Sequence, residues 1–109
     1  MATTYKVLGQ SAPSATTATT LYTVGAGKSA VVSTIAVCNQ AATSATFRIA
    51  IRVAGSALSA EEYIAYDSTV AANDTTMLTI GITLAATDVI TVYASTANLS
   101  FNAFGSEIS

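Results

Sequence analysis

The side chains best able to do chemistry in this chain are few: Lys28 within Gly27-Lys28-Ser29, the single cysteine Cys38, the adjacent Glu61 and Glu62, and the two arginines Arg48 and Arg52. Gly27-Lys28-Ser29 has the ending of a phosphate-binding loop. Such a loop needs a glycine, four residues, then Gly-Lys-Ser/Thr leading into a helix whose N-terminus faces the phosphate. Here the first glycine position is Tyr22, and the following Ala30 to Cys38 (AVVSTIAVC) is strand-forming. A tight turn between strands is expected there, with no nucleotide.

Adjacent residues on a strand face opposite ways, so Glu61 and Glu62 do not make an acid/base couple. The acids Asp67, Asp74 and Asp88 fall on separate turns, whereas a calcium loop gathers its oxygens within about a dozen residues. Cys38, in an apolar strand-like stretch, is expected to be a buried, inert residue without an intrachain disulfide partner. The chain has no histidine, which removes the usual zinc ligand and the usual general base at neutral pH. No enzyme, cofactor, metal or small-molecule substrate is expected.

Tyr63 and Tyr66 in Glu62 to Asp67 (EYIAYD) are candidates for a carbohydrate or protein contact, because tyrosine is enriched at interfaces. Partial burial with the hydroxyls at the rim is the plainer alternative. Arg48 and Arg52 share the polar face of one strand pattern. Solvated, they do little; paired with a neighbour's carboxylates they become an interface device. Two triplets with glycosylation spacing, Asn73-Asp74-Thr75 and Asn98-Leu99-Ser100, read as a turn and a strand start.

Composition narrows the partners. Only 10 of 109 residues are charged and the net charge is −2, so a basic footprint for nucleic acid is missing. Apolar runs are far shorter than the ~18 residues that cross a bilayer, so no membrane partner is expected. Met1 to Val7 lacks the basic start and apolar stretch of a secretory leader. Ala, Thr and Ser number 22, 18 and 12, against 23 for Val, Ile and Leu together, so one core must be built from few large side chains.

The elements that would carry these residues alternate with period two along nearly the whole length, which is the signature of strands. Ala45 to Val53 (ATFRIAIRV) sets Phe47, Ile49, Ile51 and Val53 against Arg48, Ala50 and Arg52. Ala30 to Cys38 is tolerably apolar on both faces, as in a central strand. Thr75 to Leu84 places Leu78, Ile80, Ile82 and Leu84 together, with a hairpin-length link, 85 to 87, to a strand over Asp88 to Ser95. Thr3 to Leu8, Thr19 to Val24, Glu62 to Asp67 and Asn98 to Phe104 complete the set. Ser59 and Glu62 have capping-box spacing, but only one helical turn would follow, so Ser59 to Tyr66 (SAEEYIAY) is expected to be a strand or short turn. The expected fold is one all-β domain over residues 1–109, an antiparallel two-sheet β-sandwich, jelly-roll or Ig-like, with about eight strands. Residues 11–20 (SAPSATTATT) read as a low-complexity loop or arm, and Phe47, Ile49, Ile51, Ile80, Ile82 and Phe101 as core.

Leu21 to Val53, Tyr63 to Asp67 (YIAYD), Ala72 to Thr75 (ANDT) and Ile82 to Phe104 together resemble a family of small all-β virion proteins of tailed bacteriophages, over about four-fifths of the chain. Gly25 departs from the proline those relatives tend to carry. The resemblance contributes no catalytic residue. It implies a structural protein of the virion, assembled in the cytoplasm of a bacterial host: a capsid decoration or cement protein or, alternatively, a tail, collar, baseplate or fibre component. A host-surface glycan-binding module, such as the sugar-recognising head of a fibre, is a second open function class; carbohydrate platforms favour exposed Trp and Tyr, and the chain has no Trp. Its implied partners are other copies of itself, a trimer suiting three-fold sites, and major capsid or tail proteins.

Overall fold

Alternating apolar residues form nine strands in the computed structural model, which describes residues 2–109: β1 (Thr3–Ser11), β2 (Thr19–Thr23), β3 (Ser29–Asn39), β4 (Ala45–Arg52), β5 (Tyr63–Val70), β6 (Thr75–Leu78), β7 (Ile82–Leu84), β8 (Val89–Ala94) and β9 (Leu99–Ile108). They make two antiparallel sheets. The larger runs β1-β9-β3-β6, with β7 also on β3, and the smaller runs β2-β8-β4-β5.

The pairing is nested. β1 lies on β9, β2 on β8, β3 on β6 and β7, and β4 on β5, so the chain is one long hairpin with its tip between β4 and β5. Rolling that hairpin up adds the β3–β9 and β4–β8 pairs and produces the jelly-roll order. Side chains from the two inner faces then meet in a core that includes Val32, Ile35, Val37, Phe47, Ile49, Ile90, Val92, Leu99 and Phe101. At the chain ends, Ala2 and Ser109 exchange backbone hydrogen bonds of 3.0 and 2.9 Å.

Several expectations change in the folded chain. Thr75 to Leu84 is two strands, because Gly81 takes a left-handed φ of 62° and breaks the run. Ile80, expected inside, is therefore exposed, and Ile51 and Ile82 are only partly buried against the core. The 85 to 87 link does not close a hairpin. It carries the chain from the larger sheet to the smaller, where the end of β2 clasps it through Thr87 N to Val24 O and Val24 N to Asp88 O, both 3.0 Å.

In β3 the register against β9 slips between Val32 and Thr34, which reverses the sidedness midway. Ala30 and Val32 face inward before the slip, Ile35, Val37 and Asn39 after it. Cys38 consequently lies on the outer face, half-buried rather than interior. Residues 11–20 are not a free arm: Ser11 and Thr19 belong to strands, Pro13 is buried, and Thr16 N bonds to Ala94 O at 2.8 Å.

Candidate functional site

Of the four interface candidates, Arg48, Tyr63 and Tyr66 converge on the outer face of the smaller sheet, and Arg52 supports the loop beside them. Arg48 projects outward from β4 because Phe47 and Ile49 on either side of it face the core. Tyr93 stands directly across from it on β8. The Arg48 guanidinium lies 4.4 Å from the centroid of the Tyr93 ring and 4.2 Å from that of Tyr66, sandwiched between the two. Its fork reaches Asp67, with Nε to Oδ1 at 2.7 Å and Nη2 to Oδ2 at 3.3 Å. That hydrogen bond raises the Arg48 pKa further, so the cation is permanent.

Tyr63 and Tyr66 are three apart and would lie on opposite sides of a regular strand. Register slips against β4 bring them together: Ala65 pairs with inward-facing Ile49, while Tyr63 pairs with the next residue, Ala50. The two rings meet edge to face, centroids 5.0 Å apart and planes at 89°. With Leu58, Ser59 and Ala60 they line an open pocket of about 550 Å³.

The loop forming the pocket's wall is held by backbone and carboxylate bonds. Arg52 donates from Nε to Ser56 O at 2.6 Å and from Nη2 to Gly55 O at 3.0 Å, so it braces the chain's own turn. The buried Asp88 accepts Ala54 N at 2.8 Å and Ala85 N at 2.9 Å. Glu61 and Glu62 fall in a short 3-10 turn, Ala60–Glu62, and not on a strand. Glu62 accepts from Ser59 N at 3.0 Å and from Ser56 Oγ at 2.6 Å, while Ser59 Oγ donates to Glu61 at 2.6 Å. The serine bond, reinforced by the local backbone, holds the Glu61 pKa below its ordinary value.

Gly27-Lys28-Ser29 closes the turn between β2 and β3, with Lys28 N bonded to Gly25 O at 3.2 Å, and is followed by a strand. Among the described residues no group of three or more His, Cys, Asp or Glu side chains is placed to hold a metal ion, and no helix is long and apolar enough to cross a membrane. Sequence reasoning missed Tyr93 and Leu58. Tyr93 is legible only through its register with Arg48, and Leu58 only through the path of the loop.

Comparison with known proteins found no match among family models, curated proteins or solved structures.

Proposed function

We propose that this chain is a structural protein of a bacteriophage virion, a cement or decoration subunit that stabilises the particle through protein–protein contacts. The observation that carries the reading is the outer face of the larger sheet. Its strands contain two charged residues, Lys6 and Glu107, and both turn to the other side, where they pair at 3.2 Å. What remains outward is uncharged: Tyr5, Val7, Val31 and Met77 are exposed beside the partly buried Phe104 and Ala36. β1, β9 and β3 are 9, 10 and 11 residues long and β6 with β7 adds 4 and 3; at ~3.3 Å per residue and ~4.8 Å between strands they give a face of roughly 600 Å², about three-quarters of the ~800 Å² each partner gives a stable interface.

A face without charge fits docking against another uncharged protein surface, including a second copy. The jelly roll is an architecture of viral capsid and lectin domains, which supports the reading at the level of architecture. Self-association through such a face persists in salt, because screening weakens charge pairs far more than apolar contacts.

Mass spectrometry and cryo-EM of purified particles from a phage encoding the chain test the reading, with stoichiometric copies on the particle surface expected. Absence of the chain from the particles would overturn it. Light scattering at ~0.1 M and ~1 M salt separately tests self-association: an oligomer, a trimer by the family resemblance, is expected at both. A monomer of 11.0 kDa at both would refute it.

A further inference from the structure

The pocket beside Tyr63 and Tyr66 lies on the smaller sheet, on the opposite side of the sandwich from the uncharged face, so both surfaces can be occupied at once. We propose that this pocket binds a neutral pyranose ring of a glycan, stacked on one of the two tyrosine rings with its edge against the other, with sugar hydroxyls donating to the Glu61 carboxylate and meeting Ser59. The inference does not depend on the virion reading.

The pocket's lining and volume support a sugar. The lining is mixed: the two tyrosines with Leu58 and Ala60, and Ser59, whose hydroxyl donates to Glu61 next to the lining. A pyranose has the same division: C–H groups that lie against an aromatic face, and hydroxyls around its edge that need polar partners. The volume of about 550 Å³ lies within the usual ligand range of ~300–1,000 Å³ and admits one or two sugar rings.

Charge selects the class. Two arginines lie near the pocket and both are engaged: Arg48 is held between two rings and paired with Asp67, and Arg52 donates to the Gly55 and Ser56 carbonyls. Glu61 stays ionised at the rim, which disfavours sialic and uronic acids and leaves neutral hexoses.

Rigidity points the same way. Arg52 grips Gly55 and Ser56, Asp88 caps Ala54, and Glu62 ties Ser56 to Ser59, so the wall is ordered before any ligand arrives. A preformed wall lowers the ordering cost of binding. Tyr66 is likewise fixed by the guanidinium against its ring and the edge-to-face contact with Tyr63.

Affinity electrophoresis of the full chain through gels containing dextran, mannan or galactan, with alginate as the polyuronate control, tests the assignment. Retardation by at least one neutral polysaccharide and none by alginate is expected. Tyr63→Ser and Leu58→Ser should each weaken it about tenfold, the first by loss of a ring contact and the second by loss of an apolar one. Circular dichroism melts of the variants verify that they are folded; if Tyr63→Ser does not fold, Leu58→Ser and Glu61→Gln carry the comparison. Unretarded migration in all three neutral gels, retardation by alginate, or folded variants that bind like the parent would each overturn the proposal. Binding of a decaproline peptide instead of the glycans, read by tyrosine fluorescence, would reassign the pocket to peptide recognition.

Discussion

The Tyr22 hydroxyl donates a 2.7 Å hydrogen bond to the Glu107 carboxylate, joining β2 of the smaller sheet to β9 of the larger. Lys6 and Lys28 approach the same carboxylate at 3.2 and 3.5 Å. The Tyr22 bond, followed by that of Lys6, holds the Glu107 pKa below its ordinary value, while burial and then Glu107 push the Tyr22 hydroxyl well above its own. One carboxylate thus gathers the turn before β3, both terminal strands and the smaller sheet.

The sign of its pH dependence follows. A depressed carboxylate stabilises the fold fully above its unfolded pKa, ~4.3 for Glu, and that contribution is lost as pH falls through the folded value. A raised tyrosine contributes below its unfolded pKa of ~10 and loses this as pH rises further. Tyr22→Phe should therefore melt at a lower temperature than the parent at pH 7, with the gap narrowing by pH 3. Melting curves followed by circular dichroism check this; an equal gap at both pH values would contradict it.

Asn39 is buried at the end of β3, and its amide staples two loops. Nδ2 donates to Thr43 O at 2.8 Å, Ala71 O at 3.2 Å and Val70 O at 3.3 Å, while Oδ1 accepts Ala41 N at 3.0 Å. Asn39→Asp sets a carboxylate oxygen against three carbonyls. An unpaired buried charge of this kind costs on the order of 3–5 kcal/mol, and the variant relieves it by staying protonated. Urea titrations should show that large loss at pH 7 and a smaller one at pH 4. The same small loss at both would mean that the loops part and admit water.

At Gly105, a Cβ would overlap the carbonyl oxygen of Val31, and at Gly9 that of Leu21. Both lie near register slips where one strand presses on another's backbone. Ala at either position should cost at least ~2 kcal/mol, since a carbonyl in a sheet has little room to yield. Gly27, at φ +74° but with open space around it, should cost only ~1 kcal/mol on the same change. Equal losses at Gly105 and Gly27 in chemical denaturation would refute the steric account.

The sheet content was legible because one face of each long strand repeats cleanly, as Phe47 and Ile49 do against Arg48. The sidedness of β3 was not, because Ser33 occupies a bulge that composition does not mark: Val31 and Ile35 look like partners on one face and lie on opposite ones. Gly81 was a visible break, but four apolar residues at even spacing around it outweighed it. For the pocket, the tyrosines and arginines were visible as types. Their meeting was not, since the contact of Tyr63 with Tyr66 needs a slipped register and that of Arg48 with Tyr93 needs the rolled hairpin.

Phe47 on β4 and Phe101 on β9 are fully buried and come from opposite sheets, their rings edge to face with centroids 6.2 Å apart at 72°. In a chain rich in Ala, Thr and Ser, these are the two largest fully buried side chains, so the packing of one layer on the other depends heavily on them. Truncating either to Ala leaves a cavity that small neighbours cannot fill, and each should cost ~3–5 kcal/mol. Phe101→Leu keeps most of the volume and should cost less. Because the rings touch, the double variant should fall short of additivity by about 0.5–1.5 kcal/mol beyond shared-cavity effects. Replacing both with Leu tests the ring geometry with less change in volume. A double-mutant cycle on the Leu variants, measured by urea unfolding, is the decisive form: strict additivity would mean that the contact adds nothing beyond the apolar area each ring buries.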